Sequence, residues 1–261
     1  MNKFIEEFES QKASRIESFG QDEDFKKRSL AWLEESMRKS YVYNFSCLGR
    51  PIIQNPTDIV AMQEIIWEVK PDLIIETGIA HGGSLILSAS MLAMIDMCEA
   101  IESGGLIDPK TSKRKVLGLD IDIRPHNKAA IEAHPMASRT QMIQGSSIDP
   151  KTISQVHEIA KEFKKILVCL DSSHTHEHVL AELQAYAPLT SKNSYCVVFD
   201  SFVEDVPADV FQNRPWGPGN NPKTALWEYL KTHPEFEIDK SIQNKLLITV
   251  APDGYLKRIS Q

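Results

Sequence analysis

Carboxylates follow two short apolar segments in the second half of the chain. Asp171 comes directly after Ile166–Leu170, and Asp200 closes the apolar residues 195–199. Two carboxylates at adjacent strand ends can share a hard cation such as Mg²⁺, which prefers oxygen ligands. His174 lies just beyond Asp171, where a neutral imidazole could accept the proton of a substrate hydroxyl. The spacing therefore predicts a metal site at Asp171 and Asp200, with His174 as a base.

A glycine-rich turn follows an earlier apolar segment, residues 73–75, which Glu76 closes. The candidate ligand contacts in this turn are Gly78, His81, Gly82 and Ser84. Glycines let a backbone approach a ligand closely, and the turn contains neither Gly-Lys-Ser/Thr nor G-x-G-x-x-G. An acid before such a turn suits a ligand with a cation and no phosphate, such as S-adenosylmethionine (SAM). A tight turn without a ligand is the alternative.

Two more segment ends supply candidates for binding adenosine. Asp120 follows residues 116–119, and its carboxylate could accept hydrogen bonds from both ribose hydroxyls. SAM and NAD sites share this arrangement, and a solvated surface acid is the alternative. Ser146 and Ser147 follow the short apolar segment 142–143 and could border an adenine or form a simple turn.

Candidate acceptor contacts come from a loop and from a helix start. Residues 213–222 are rich in proline and glycine, with Trp216 as an apolar anchor and Asn220 beyond it. The composition predicts a loop that covers the same edge of the fold, or a structural Ω-loop. His176 lies in a predicted first helical turn, where it contacts the acceptor, faces solvent or caps the helix.

The elements that position these residues are apolar strands alternating with helices, which predicts an α/β fold. Such a pattern is typical of a mostly parallel sheet covered on both faces, with ligands outside the carboxyl ends of its strands. The apolar residues 246–250 predict the last strand. Residues 1–57 are predicted as an N-terminal helical extension that ends in a polar loop, and 58–261 as the main domain. The extension caps the fold or forms a homo-oligomer contact.

Composition narrows the class of protein further. The net charge of −7 argues against broad nucleic-acid binding, because counterion release needs clustered Lys and Arg. The four separated cysteines predict free thiols and a reducing cytoplasm; they are Cys47, Cys98, Cys169 and Cys196. No signal peptide is recognisable, and we expect no apolar run near the ~20 residues of a membrane span.

Several stretches together resemble the cephalosporin hydroxylase family, which is similar to rhamnosyl and other sugar O-methyltransferases. They are PDLIIETGIAHGGSLILSASML, VLGLDIDIRPHN, LDSSHTHEHVLAEL, SYCVVFD and RPWGPGNNPKTA, and the resemblance runs from about Arg50 onwards. It implies the Rossmann-like fold of class I SAM-dependent methyltransferases, with a seven-stranded sheet. It also implies SAM over residues 76–84 and Asp120, and a Mg²⁺-type site.

The resemblance carries over to the metal site residue by residue. Asp171 matches the family's first metal acid, and Asp200 matches the second acid of a Glu-Asp pair, in which Phe199 replaces the Glu. The related catechol methyltransferases have an amide ligand after the later acid, so Ser201 is the predicted, poorer third ligand. His174 stands where those enzymes carry a base lysine, which supports its assignment as the base.

We therefore expect a SAM-dependent, metal-assisted O-methyltransferase. Its expected acceptor is a hydroxyl of a sugar or nucleotide-activated sugar for surface polysaccharide. A hydroxylase is the first alternative, because Asp171, His174 and His176 resemble the ligand set of non-haem iron. A non-catalytic SAM-binding subunit is the second.

Overall fold

The computed structural model describes residues 3–109 and 111–260, which form a seven-stranded sheet flanked by helices. A hairpin comprises β1 (Phe45–Cys47) and β2 (Arg50–Ile52). The sheet contains β3 (Leu73–Thr77), β4 (Lys115–Asp120), β5 (Thr140–Gln144), β6 (Ile166–Leu170), β7 (Tyr195–Val198), β8 (Phe236–Ile238) and β9 (Tyr255–Arg258). The helices are α1 (Lys3–Gln21), α2 (Glu23–Arg38), α3 (Pro56–Val69), α4 (Gly83–Ser103), α5 (Pro125–Glu132), α6 (Pro150–Ala160), α7 (His176–Tyr186), α8 (Pro222–Leu230) and α9 (Lys240–Leu246).

The strand order is β5-β4-β3-β6-β7-β9-β8. The first five strands in this order pair in parallel, and only the pairs β7–β9 and β8–β9 are antiparallel. The prediction of a mostly parallel seven-stranded sheet is confirmed. The chain passes from β3 outward to β4 and β5 and then returns to β6 on the other side of β3. This reversal opens a crevice between the carboxyl ends of β3 and β6, where ligands bind in such sheets.

Apolar side chains on both faces of the sheet explain why its strands read as continuous apolar runs. On one face the sheet packs against α3 and α4, with Leu33 of α2 and Ile242 of α9 joining the same core. On the other face it packs against α6, α7 and α8. All five residues of β3 and of β6 are buried, so both central strands are rigid supports for the loops at their ends.

The polar segment predicted as a loop before α3 contains the β1–β2 hairpin instead. This hairpin lies on the start of α4, because a Cβ at Gly83 would approach the carbonyl oxygen of Pro51 to 2.3 Å. The bare backbone of Gly83 therefore lets the N-terminal part of the chain reach the edge of the sheet where the strands end.

The prediction of a last strand at residues 246–250 is wrong. Leu246 ends α9, Leu247 has a φ of +59°, and the final strand is β9. The backbone N–H of Val250 donates to the buried carboxylate of Asp58 at 2.9 Å. Val250 is buried in the core and Leu246 and Ile248 pack against it, which explains the apolar character of this segment.

Helix α4 contradicts the expectation of no long apolar run. By length and composition it could cross a membrane, and 33% of its most apolar window is buried. Leu85, Ala89, Leu92 and Ile95 of this helix pack in the core against the sheet, which is the position of a core helix in a globular protein. The four cysteines are free, as predicted.

Candidate active site

The turn between β3 and α4 approaches the end of β6 so closely that only glycine fits. Gly78 has a φ of +89°, and a Cβ there would lie 2.0 Å from the carbonyl oxygen of Asp171. Positive φ disfavours a side chain, and this contact with the backbone excludes one. The predicted glycine-rich turn and the predicted metal acid are therefore neighbours across the crevice.

Asp120 at the end of β4 holds this turn in shape. Its Oδ2 accepts hydrogen bonds from the backbone N–H groups of Ile79 at 2.9 Å and Ala80 at 3.1 Å. Its Oδ1 accepts from Asp122 N at 3.0 Å. A carboxylate oxygen can accept more than one hydrogen bond, so Asp120 can order the turn and still bind hydroxyls from the cavity that it lines.

Glu76 lies beneath the turn, only 4% exposed, and accepts a hydrogen bond from the hydroxyl of Ser84. Burial raises the pKa of Glu76 to about 7. Among residues 3–109 and 111–260, no basic side chain pairs with its carboxylate. A cationic ligand group at this position would favour its ionised form.

Asp171, His174 and Asp200 come together at the ends of β6 and β7. One potential ligand atom from each lies within 4.8 Å of the others, and His174 Nε2 is 3.1 Å from Asp200 Oδ2. Asp200 has a φ of +55°, a conformation that costs energy and is typical of functional sites. The ring of Trp216 packs edge-on against that of His174, with centroids 4.7 Å apart.

The charges around this cluster favour a cation. Burial and the carboxylates of Asp200 and Glu76 raise the pKa of Asp171 well above its usual range. Carboxylates that share a buried site without a cation repel each other. Two carboxylates and an imidazole at these distances fit a divalent ion, and their oxygen content fits Mg²⁺.

A cavity of about 780 Å³ joins the glycine-rich turn to the cluster. One wall is formed by residues 78–81, Gly83, Ser84 and Asp120, and the opposite wall by residues 209–214 and Trp216. Gly82, a predicted cofactor contact, does not line the cavity. A third wall comes from the predicted N-terminal extension; its members are Met37, Ser40, Val42, Tyr43 and residues 51–55. The extension thus contributes directly to the site.

Gln54, from this third wall, has no counterpart among the residues predicted from the sequence. Its Nε2 donates to Asp171 Oδ2 at 3.0 Å, and the residue is 8% exposed. A lone amide in a polar loop carries no motif, and Gln54 lies 117 residues before Asp171. Only the fold could reveal this contact.

Some predicted site residues lie elsewhere. The Ser201 hydroxyl is fully buried and donates to the carbonyl of Pro252 at 2.6 Å, so the geometry does not support Ser201 as a metal ligand. The Ser147 hydroxyl pairs with His178 Nε2 at 3.0 Å. Ser146 and Ser147 are not among the residues that line the cavity.

His176 and Asn220 connect α7 to the start of α8. His176 Nδ1 lies 2.8 Å from Thr224 Oγ1, and its backbone N–H donates to Asn220 Oδ1 at 2.9 Å. Neither His176 nor Asn220 lines the cavity, and both make contacts within the fold, so their contact with an acceptor stays a prediction. The iron-type set of Asp171, His174 and His176 is likewise not brought together.

Comparison with known proteins agrees with this geometry. The family described as rhamnosyl O-methyltransferase/CmcI matches residues 39–259. A rhamnosyl O-methyltransferase of Mycobacterium bovis (strain BCG / Pasteur 1173P2) is 31% identical over 207 residues, or 77% of this chain and 73% of the relative. A solved apo structure of CmcI covers 84% of this chain and 78% of its own, with a TM-score of 0.57 at 18% identity. A CmcI structure described with Mg and SAM covers the same shares, with a TM-score of 0.54 at 16% identity.

Proposed function

The chain belongs to the rhamnosyl O-methyltransferase/CmcI family and is a SAM-dependent O-methyltransferase, and on that premise we propose that it methylates a hydroxyl of a sugar or nucleotide-activated sugar with the help of Mg²⁺. The observation that carries the metal-assisted reaction is the cluster of Asp171, His174 and Asp200 beside the glycine-rich turn in one cavity. The CmcI structure described with Mg and SAM supports the same pair of cofactors.

Bound Mg²⁺ would lower the pKa of an acceptor hydroxyl, and SAM would supply the methyl group. Asp171 and Asp200 would hold the cation, and their carboxylates need it because they share a partly buried site. His174 would accept the hydroxyl proton through its imidazole, as a general base. Trp216 restricts the position of the His174 ring by its edge-on contact.

On the cofactor side, the backbone of residues 78–84 would follow the outline of SAM, since a side chain at Gly78 would fill the crevice. Asp120 would accept from the ribose hydroxyls, and Glu76 with Ser84 would face the methionine part. These contacts orient the methyl group toward the cluster, and such orientation accounts for much of the rate of a methyl transfer.

The acceptor side favours a polar, ring-shaped molecule. Trp216 offers an aromatic face, and the guanidinium of Arg214 lies 5.3 Å from its centroid. Arg214 would pair with the phosphates of a nucleotide-sugar, because its planar guanidinium matches phosphate oxygens. The proposal also includes a role for the acceptor in surface polysaccharide. The enzyme is proposed to be a cytoplasmic homo-oligomer that acts without nucleic-acid or membrane partners.

The experiment starts from EDTA-treated protein, titrated calorimetrically with SAM and then with Mg²⁺. A panel of nucleotide-sugars follows, with mass spectrometry to detect the gain of one methylene. We expect SAM binding, and a methylated product only when Mg²⁺ is present. A product that forms equally well in EDTA would refute the metal-assisted reaction, and iron-dependent oxygen uptake would favour a hydroxylase.

A further inference from the structure

The side-chain amide of Gln54 has one hydrogen-bonded atom and one atom that lacks a partner among the described residues. Its Nε2 donates to Asp171 Oδ2 at 3.0 Å. Its Oε1 is buried and has no hydrogen-bond partner within the described residues 3–109 and 111–260. A buried carbonyl oxygen without a partner costs roughly 1–3 kcal/mol. An oxygen left in this state beside a carboxylate cluster is available to a water or an ion.

The cluster itself is short of oxygen donors. Asp171 and Asp200 supply carboxylates, and the nitrogen of His174 is reserved for the proposed role as base, whereas Mg²⁺ prefers oxygens arranged as an octahedron. The residue next to Asp200 is Phe199, which is apolar and 4% exposed. Gln54, Asp171 and Phe199 line the same small void. Gln54 therefore lies beside Asp171 on the side that faces Phe199, where the chain has an apolar ring and no oxygen ligand.

We propose that Gln54 completes the cation site, an inference that rests on the proposed metal-assisted function. Its amide N–H fixes the orientation of the Asp171 carboxylate, and its free amide oxygen adds a neutral donor to the cation. A neutral donor leaves two carboxylates opposite a divalent ion, so the charges balance without a third acid. Gln54 is a positioning residue for Asp171 as well as an oxygen donor.

The test compares Gln54→Met with the wild-type protein by calorimetric titration with Mg²⁺ in the presence of saturating SAM. Methionine keeps the length of the side chain and removes both polar atoms. We expect Mg²⁺ affinity to fall about 10- to 100-fold, the range for groups that support a metal ligand. SAM affinity measured in EDTA should stay within about twofold, because the amide serves the cation in this proposal.

Two further variants complete the design. Gln63→Met makes the same substitution at an exposed position of α3 that does not line the cavity, and it should leave Mg²⁺ affinity unchanged. Phe199→Glu in the Gln54→Met background returns an oxygen to the same void, and it should restore Mg²⁺ affinity. This rescue shows that a loss in Gln54→Met is not a failure to fold.

Three results are decisive. Unchanged Mg²⁺ affinity in Gln54→Met, with normal binding by the wild type, overturns the role of Gln54 and leaves the proposed function intact. Weaker SAM binding in EDTA with unchanged Mg²⁺ affinity also overturns it, because the amide then serves the cofactor. If the wild-type protein binds no Mg²⁺, the metal-assisted function itself fails.

Discussion

Replacing Glu76 by Gln should make the metal-free, SAM-free protein more stable at alkaline pH. The carboxyl is 4% exposed, and burial raises its pKa from the ordinary 4.5 to about 7. Between these two values the native protein holds a proton that the unfolded chain has lost, so stability falls as pH rises. The difference corresponds to about 3 kcal/mol once the pH exceeds 7, at 1.36 kcal/mol for each pKa unit.

Gln keeps the oxygen that accepts from Ser84 and cannot ionise. Glu76→Gln should therefore match the wild type near pH 4 and exceed its stability by up to about 3 kcal/mol at pH 8.5. For a chain of this size, that gain is roughly 6–12 °C in Tm. Urea denaturation of EDTA-treated protein across this pH range measures the gap. Glu102→Gln, at an exposed position, should show none.

The same substitution should weaken SAM binding by roughly 10- to 100-fold, because a charged hydrogen bond contributes about 1.5–3 kcal/mol. The gain of stability and the loss of SAM affinity would then come from the same group, the Glu76 carboxyl, which is ionised when it pairs with the cationic group of SAM. A stability gap that does not change with pH would show that the Glu76 carboxyl is not the group that titrates. Undiminished SAM affinity would show that it does not face the cofactor.

Three other substitutions test the site. Gly78→Ala should lose several kcal/mol of stability and most SAM affinity, because its Cβ would meet a carbonyl oxygen at 2.0 Å. Its control is Gly49→Ala, at φ +85° in open space, which should lower the free energy of unfolding only by the ~1–2 kcal/mol that a left-handed backbone conformation costs. Asp200→Asn should weaken Mg²⁺ binding by more than about 100-fold in calorimetry and leave SAM binding in EDTA unchanged. A direct metal ligand contributes more to metal affinity than the groups that hydrogen-bond to it, whose loss costs about 10- to 100-fold. Asn220→Ala should lower the free energy of unfolding by about 1 kcal/mol through the lost cap on His176 N, with the KM for the acceptor unaffected; a raised KM would return Asn220 to the acceptor site.

Short apolar runs were sufficient to locate the strands that carry the cluster. The observed bounds of β6 are those of the apolar segment Ile166–Leu170, and α7 begins at His176, in the predicted first helical turn. Both segments are bounded by polar residues, and β6 is buried on both faces, which is the pattern of a strand inside a parallel sheet. Asp171 then had to lie at the edge of the sheet where ligands bind.

Prediction failed where a buried polar contact decided the structure. Residues 246–250 have the composition of a strand, yet Asp58 binds their backbone N–H and hydroxyl groups across 191 or 192 positions of sequence. Ser201 follows Asp200 in the chain, but the 3-10 helix that begins there turns its hydroxyl toward Pro252. Neither contact leaves a local pattern, because each depends on a partner far away in the sequence.

The site is assembled from two parts of the chain with separate tasks. The sheet edge supplies the cluster and the turn, whereas α2 and the hairpin beyond it supply one wall through Met37, Tyr43 and their neighbours. Arg38 of α2 pairs with Asp209 on the opposite wall at 2.9 Å. A different N-terminal segment could therefore be grafted onto the same sheet to change which acceptor enters, with the methyl-donor machinery left in place. Related enzymes could diversify in evolution by this exchange, and chimaeras that join segments just before Gln54, so that this proposed donor is kept, would reproduce it in the laboratory.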